Sequence, residues 1–220
     1  MQPIIIIGAS GHGKVLADIV EQEGRYRLAG FVDATVPAGT EFFGYPVLGR
    51  EKDLPGLAEK MGLGGCLVAV GDNWSRMQCV VKVKGLAPEL PFVSTVHPSA
   101  RIARGAVVGA ATAVMAGAVL GPDVRVGEFC IVNTGACLDH DGVMEDFSSL
   151  APGVVAGGNV RIGTGSAVSL GVRLIHGVTV GAHSVVGAGA TVLEDIPDRV
   201  LAHGTPARVV RTRCDGERYL

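Results

Sequence analysis

Val132-Asn133-Thr134-Gly135-Ala136-Cys137-Leu138-Asp139-His140-Asp141-Gly142-Val143-Met144 is the stretch whose spacing decides the fold. An aliphatic side chain or methionine stands at 132, 138 and 144, and a small residue two places ahead of the last two, at 136 and 142. Extended in both directions, the six-residue step runs from Val96 to Val192 through seventeen apolar residues without an insertion. A period of six is neither the 3.6 of a helix nor the simple alternation of a half-buried strand. It marks a parallel β-helix in which each hexad supplies a short strand and a corner, and three hexads close one coil. The aliphatic residues stack to fill the prism, and Gly109, Gly121, Gly127, Gly163, Gly181 and Gly187 are expected to relieve its corners.

Such a prism has flat, weakly charged outer faces. Ala110, Ala111, Ala113, Ala116 and Val119 are expected to form an exposed apolar patch, which implies self-association.

Ahead of the repeat the texture changes. All five lysines precede residue 85, and of the aromatic residues only Phe129, Phe147 and Tyr219 follow residue 95. Here apolar runs at Ile4–Ile7, Leu28–Val32 and Cys66–Val70 alternate with turns and a helical pattern over Lys14–Glu23, the signature of a Rossmann-like βαβ unit. The expected organisation is an α/β domain over 1–90, an all-β parallel helix over 91–197 and a C-terminal tail over 198–220.

Composition removes whole classes of function. With 48% hydrophobic and 18% charged residues among 220, the chain is not disordered. A net charge of -2 supplies no basic surface for nucleic acid or an anionic membrane. Gly105–Pro122 carries no charge, yet the hexapeptide period accounts for it better than a membrane span does. Five cysteines without a CxxC pair, and an N-terminus without the features of a signal peptide, fit a reducing cytoplasm. The histidines offer no HxxxxH spacing, so no metal is expected.

Two motifs carry chemistry. In the repeat register His140 falls at a corner with its ring outside the packed prism, and Asp141 is placed to hold one ring nitrogen while the other acts as a base. One coil on stands Gly158, preceded by Gly157, whose bare N–H is suited to a carbonyl gaining negative charge. Two coils on stands His176, expected about 10 Å away by strand separation, too far for direct chemistry and suited to lining a cofactor groove. The second motif, Gly8-Ala9-Ser10-Gly11-His12-Gly13, lies between strand and helix, where free N–H groups and the helix dipole favour phosphate. It is not a strict GxGxxG, and no dehydrogenase constellation follows it.

Taken with Gly71-Asp72-Asn73, Asn133, His140-Asp141 and the terminal Gly204-Thr205-Pro206-Ala207-Arg208, these motifs resemble the hexapeptide-repeat sugar O- and N-acetyltransferases of the sialic acid and bacillosamine type. The resemblance covers essentially the whole chain. It implies a left-handed helix, a homotrimer, and transfer of acetyl from acetyl-CoA to the 4-amino group of a nucleotide-linked 4-amino-4,6-dideoxy sugar, GDP-perosamine being the favoured acceptor. It implies that His140 is the base, Asp141 its orienter and the Gly158 amide the thioester ligand. Ser10, Gly11, His12, Asp33, Gly71, Asp72, Asn73, Asn133 and Ser149 then bind the nucleotide sugar. Gly157, Gly158, His176, Gly204, Pro206 and Arg208 bind acetyl-CoA. Ser149 stands where many members of the family carry a second histidine, which leaves acceptor identity open. The alternatives are O-acetylation of a sugar hydroxyl and a noncatalytic nucleotide-binding scaffold.

Overall fold

The computed structural model describes residues 1–219 and divides the chain into two compact units, Met1–Pro98 and Ser99–Leu220. In the first unit, β1 (Gln2–Ile7), β2 (Tyr26–Val32), β3 (Glu41–Phe42), β4 (Tyr45–Gly49) and β5 (Gly65–Val68) form a sheet in the order β3-β4-β2-β1-β5. β1 pairs in parallel with both β2 and β5, while β3 and β4 form an antiparallel hairpin at one edge. Ile4–Ile7 are all buried, as expected of a central parallel strand. Three helices accompany the sheet: α1 (Gly11–Glu23), α2 (Leu54–Met61) and α3 (Asn73–Leu86).

Helix α1 begins three residues ahead of the expected Lys14 because Ser10 caps it, its hydroxyl accepting the Gly13 N–H at 3.3 Å. Two glycines permit this tight start. Gly8 has φ 111°, and a β-carbon on it would lie 2.9 Å from the Ala69 carbonyl oxygen, while one on Gly13 would collide with the Gly8 carbonyl.

The second unit contains sixteen two-residue strands, from Arg101–Ile102 to Thr191–Val192, that pair only in parallel, each with its neighbour eighteen residues away. They make the three faces of a left-handed β-helix. The aliphatic column is sealed: Val114, Leu120, Val132, Leu138, Leu150 and Val168 are fully buried. A polar column runs beside it. Thr112, Cys130, Ser148, Ser166 and Ser184 are buried at eighteen-residue intervals, and their side chains bond successive coils, as in Thr112 Oγ1 donating to the Gly127 carbonyl at 2.8 Å and the Ser184 N–H donating to Ser166 Oγ at 2.8 Å. These contacts satisfy hydroxyls that burial would otherwise leave destabilising.

The corner glycines act differently from the expectation. Gly109, Gly121 and Gly163 do not adopt positive φ; a β-carbon on them would lie 2.5 to 2.7 Å from the backbone of the next coil. They permit close coil stacking. The left-handed residue stands two places later in each turn, and one edge uses glycine at every level: Gly117, Gly135, Gly153, Gly171 and Gly189.

The outer patch also needs correction. Val119 is 39% exposed and Ala110 is exposed, but Ala113 is buried, so it contributes nothing to an exposed surface. The expected tail is partly structural: Val200–His203 extends the third face by pairing with Val185–Val186, and Arg208–Thr212 folds back on it.

Candidate active site

In the first unit the predicted residues gather where the strands β1, β2 and β5 end and α1 and α3 begin. Ser10 Oγ also donates to the Ala69 carbonyl at 3.3 Å, joining the two turns. Asp72 caps α3 by accepting the Ser75 N–H at 2.8 Å, and its second oxygen is buried without a partner. His12 Nε2 is buried without a partner as well. Burial first, and then the charge of Arg76, pushes the His12 pKa down to about 4, so its ring stays neutral.

Arg76 is a buried cation that sequence reasoning missed. Its guanidinium donates to the carbonyls of Val70 and Gly71 at 3.0 Å and to Asn73 Oδ1 at 2.6 Å. Two helix N-termini, this cation and a neutral imidazole provide donors and positive potential suited to a diphosphate. Arginine four places after a helix cap is ordinary in sequence; only tertiary burial distinguishes this one.

Asp33 closes the same region in a way the sequence did not disclose. Oδ2 accepts the Ala9 N–H at 2.8 Å, and Oδ1 accepts from the Thr35 N–H, the Thr35 hydroxyl and the Val36 N–H at 2.7 to 2.9 Å. Burial raises its pKa, but the bonds from Val36, Thr35 and Ala9 outweigh that and hold the carboxyl below its ordinary value. Asp33 therefore ties the end of β2 to the glycine-rich turn, whatever else it binds.

In the second unit His140 lies in the turn Asp139–Gly142. Asp139 Oδ1 accepts the His140 N–H at 2.7 Å, a turn contact absent from the sequence reading. Asp141, at φ 58°, places its carboxylate beside the ring, with His140 Nδ1 2.8 Å from Asp141 Oδ2. With Nδ1–H donating there, Nε2 keeps its lone pair. The Asp141 hydrogen bond chiefly, aided by the charges of Asp139 and Asp141 against desolvation, raises the His140 pKa above its ordinary value.

Nε2 points at Gly158. A β-carbon on Gly158 would overlap the ring at Nε2 and Cε1. The N–H of Gly158 has no partner among the described residues, whereas the corresponding N–H groups of His140 and Ala182 are taken by aspartate side chains. Gly157, lacking a side chain, supplies no such acceptor. His176 is nearer than expected: its ring centroid is 6.0 Å from that of His140, tilted 45°. Two coil spacings separate the backbones, but the bare Gly158 between them lets the rings converge.

The same edge continues to Glu194, one coil beyond His176, where Arg208 Nη1 lies 3.7 Å from Glu194 Oε2. The Gly204–Arg208 loop is anchored there by the Thr191 N–H donating to the Gly204 carbonyl and the Ala207 N–H donating to the Thr191 carbonyl. Asn133 and Ser149 are not brought to His140. Asn133 opens the turn at a different edge, its Oδ1 accepting the Thr134 N–H, and Ser149 lies on the third face. Among the described residues no group of three or more His, Cys, Asp or Glu side chains could hold a metal ion, and no helix is long and apolar enough to cross a membrane.

Over nearly its whole length the chain is similar to the GDP-perosamine N-acetyltransferase of Caulobacter crescentus, at 36% identity and a TM-score of 0.89, covering 96% of this chain and 98% of that one. The chain belongs to the hexapeptide-repeat sugar acetyltransferases. The Caulobacter enzyme is described in complex with CoA and GDP-perosamine, including variants in which one histidine is replaced by alanine or asparagine. The family is represented also by the acetyltransferase domain of PglB from Neisseria gonorrhoeae FA1090, in complex with acetyl coenzyme A, at 32% identity, a TM-score of 0.86 and coverage of 95% and 99%. Residues 3–83 match the family described as PglD N-terminal domain. A UDP-N-acetylbacillosamine N-acetyltransferase of Bacillus subtilis (strain 168) is 37% identical over 119 residues, 53% of this chain; the match spans about half of that relative's length, 52%.

Proposed function

We propose that this acetyltransferase moves acetyl from acetyl-CoA to the 4-amino group of a nucleotide-linked 4-amino-4,6-dideoxy sugar, with GDP-perosamine as acceptor. The observation that carries the reading is the His140–Asp141 pair at 2.8 Å, with the free ring nitrogen packed against Gly158, whose N–H has no partner among the described residues. The acceptor amine attacks the thioester carbon as the neutral base. Its nitrogen becomes acidic once the C–N bond forms, and His140 Nε2 takes the proton, with Asp141 stabilising the imidazolium. The Gly158 N–H stabilises the oxyanion. No enzyme nucleophile is needed, and Cys66 and Cys79, pushed by burial up to about 12 and about 11, are poor thiolates.

The first unit binds the nucleotide sugar through Ser10, Gly11, His12 and the Gly71–Asn73 turn, with Arg76 balancing the diphosphate charge. Acetyl-CoA lies along the His176 edge toward Gly204, Pro206 and Arg208. The protein is a homotrimer of the cytoplasm serving surface polysaccharide synthesis. Exposed Val107, Val155, Ile175 and Leu193 support association, and a neighbouring copy would bring Asn133 and Ser149 toward His140. The test is CoA thiol release against a panel of GDP-, UDP- and dTDP-linked 4-amino sugars. GDP-perosamine should be turned over fastest, with intersecting initial-rate patterns. Failure of every amino sugar to release CoA overturns the reading, and a monomer in sedimentation at micromolar concentration overturns the trimer.

A further inference from the structure

The edge carrying His140 offers three polar groups on three successive coils, and the acetyl-transfer intermediate has three heteroatoms. His140 presents Nε2 to Gly158, Gly158 presents an unpartnered N–H, and His176 stands on the far side of Gly158 with its ring centroid 6.0 Å from that of His140. The tetrahedral centre formed by an amine and a thioester bears nitrogen, oxygen and sulfur. When nitrogen is engaged by His140 and oxygen by Gly158, sulfur and methyl remain. Sulfur carries the long CoA chain and must leave the notch on its open side. His176 is exposed there, and the Glu194–Arg208 pair continues the edge beyond it.

We propose that His176 is a second catalytic imidazole, one that donates a ring N–H to the thioester sulfur as the carbon–sulfur bond breaks. The inference rests on the acetyl-transfer reading. The C–N bond forms while the amine proton passes to His140 Nε2. The C–S bond then breaks with its electron pair going to sulfur, and the His176 N–H stabilises the thiolate without full proton transfer. Solvent protonates the thiolate, and His140 returns its proton to solvent, leaving amide and free CoA thiol. A neutral imidazole suffices because one ring nitrogen always carries a hydrogen. The advantage of placing a donor where charge develops is the one that oxyanion donors exploit.

The charged groups along this edge are Asp139 and Asp141, which bond His140, and the Glu194–Arg208 pair one coil beyond His176. His176→Ala should lower kcat at least tenfold with the KM of the acceptor and the Kd of CoA within about twofold of wild type, by analogy with lost oxyanion donors. His176→Gln, which keeps an N–H donor, should recover most of kcat. The acid limb of the pH profile, set by His140, should stay in place in both variants. A wild-type kcat for His176→Ala, or a rise in CoA Kd without a change in kcat, overturns the proposal and leaves the acetyl-transfer reading intact. That reading itself fails if the wild-type enzyme releases no CoA or if His140→Asn retains the wild-type rate.

Discussion

Gly158 and the imidazole of His140 compete for one space: a β-carbon on Gly158 would overlap Nε2 and Cε1 and lie 2.9 Å from Cδ2. The glycine therefore does two things at once, leaving room for the ring and exposing its own N–H beside it. Gly158→Ala should turn the imidazole away from Asp141 and lower kcat/KM by a factor on the order of one hundred, with far-UV circular dichroism unchanged. An alanine variant with wild-type kcat/KM would show that the close approach is not needed for catalysis.

His140→Asn should lower kcat/KM by about 100-fold or more, the range of general-base assistance. Binding of CoA should survive, since the side chain is not part of the packed prism. Calorimetry on the variant separates lost chemistry from lost binding.

A pH profile tests the pair. The His140 pKa is raised from 6.5, mainly by its hydrogen bond to Asp141, so protonation removes the base at a higher pH than for an ordinary histidine. kcat/KM should fall as pH drops through a value above 6.5. Asp141→Asn should move that limb to lower pH and reduce the plateau. An unmoved limb would mean another group controls it.

His12 predicts an acid sensitivity of the first unit. Its native pKa of about 4 lies below the unfolded value of 6.5, so the unfolded chain binds more protons between those values. Stability should therefore be fully present above about pH 6.5 and decline as pH falls toward 4, by about 3 kcal/mol from this group. Denaturant unfolding of wild type and His12→Gln at pH 7.5 and 4.5 measures it: the variant should lose less.

Asp33→Ala leaves the N–H groups of Ala9, Thr35 and Val36 without their acceptor. Unfolding free energy should drop by about 1–3 kcal/mol. The acceptor KM should rise through loosening of the glycine-rich turn, with kcat largely retained.

The β-helix was legible from end to end because one stack of side chains imposes one period, and each of the aliphatic residues from Val114 to Val192 that defines it is buried. His140 and Asp141 were legible for the same reason, since the register assigns every residue to a face or a corner. Ala113 was misassigned because the register gives position on a strand, not what covers it. His176 was placed too far away because strand spacing measures backbones, and side chains lean into the room a glycine leaves.

By itself the sequence determined the coil, its register, the edge on which His140, Gly158 and His176 are stacked, and the βαβ character of the first ninety residues. These follow from short-range periodicity and from turn chemistry, which are local. Only the tertiary structure decided that Arg76 is a buried cation beside His12, that the Asp33 carboxylate is committed to the backbone of two loops, and that the His140 and His176 rings converge to 6.0 Å. Each depends on groups remote in the chain meeting at hydrogen-bond or van der Waals range, and periodicity carries no information about such distances.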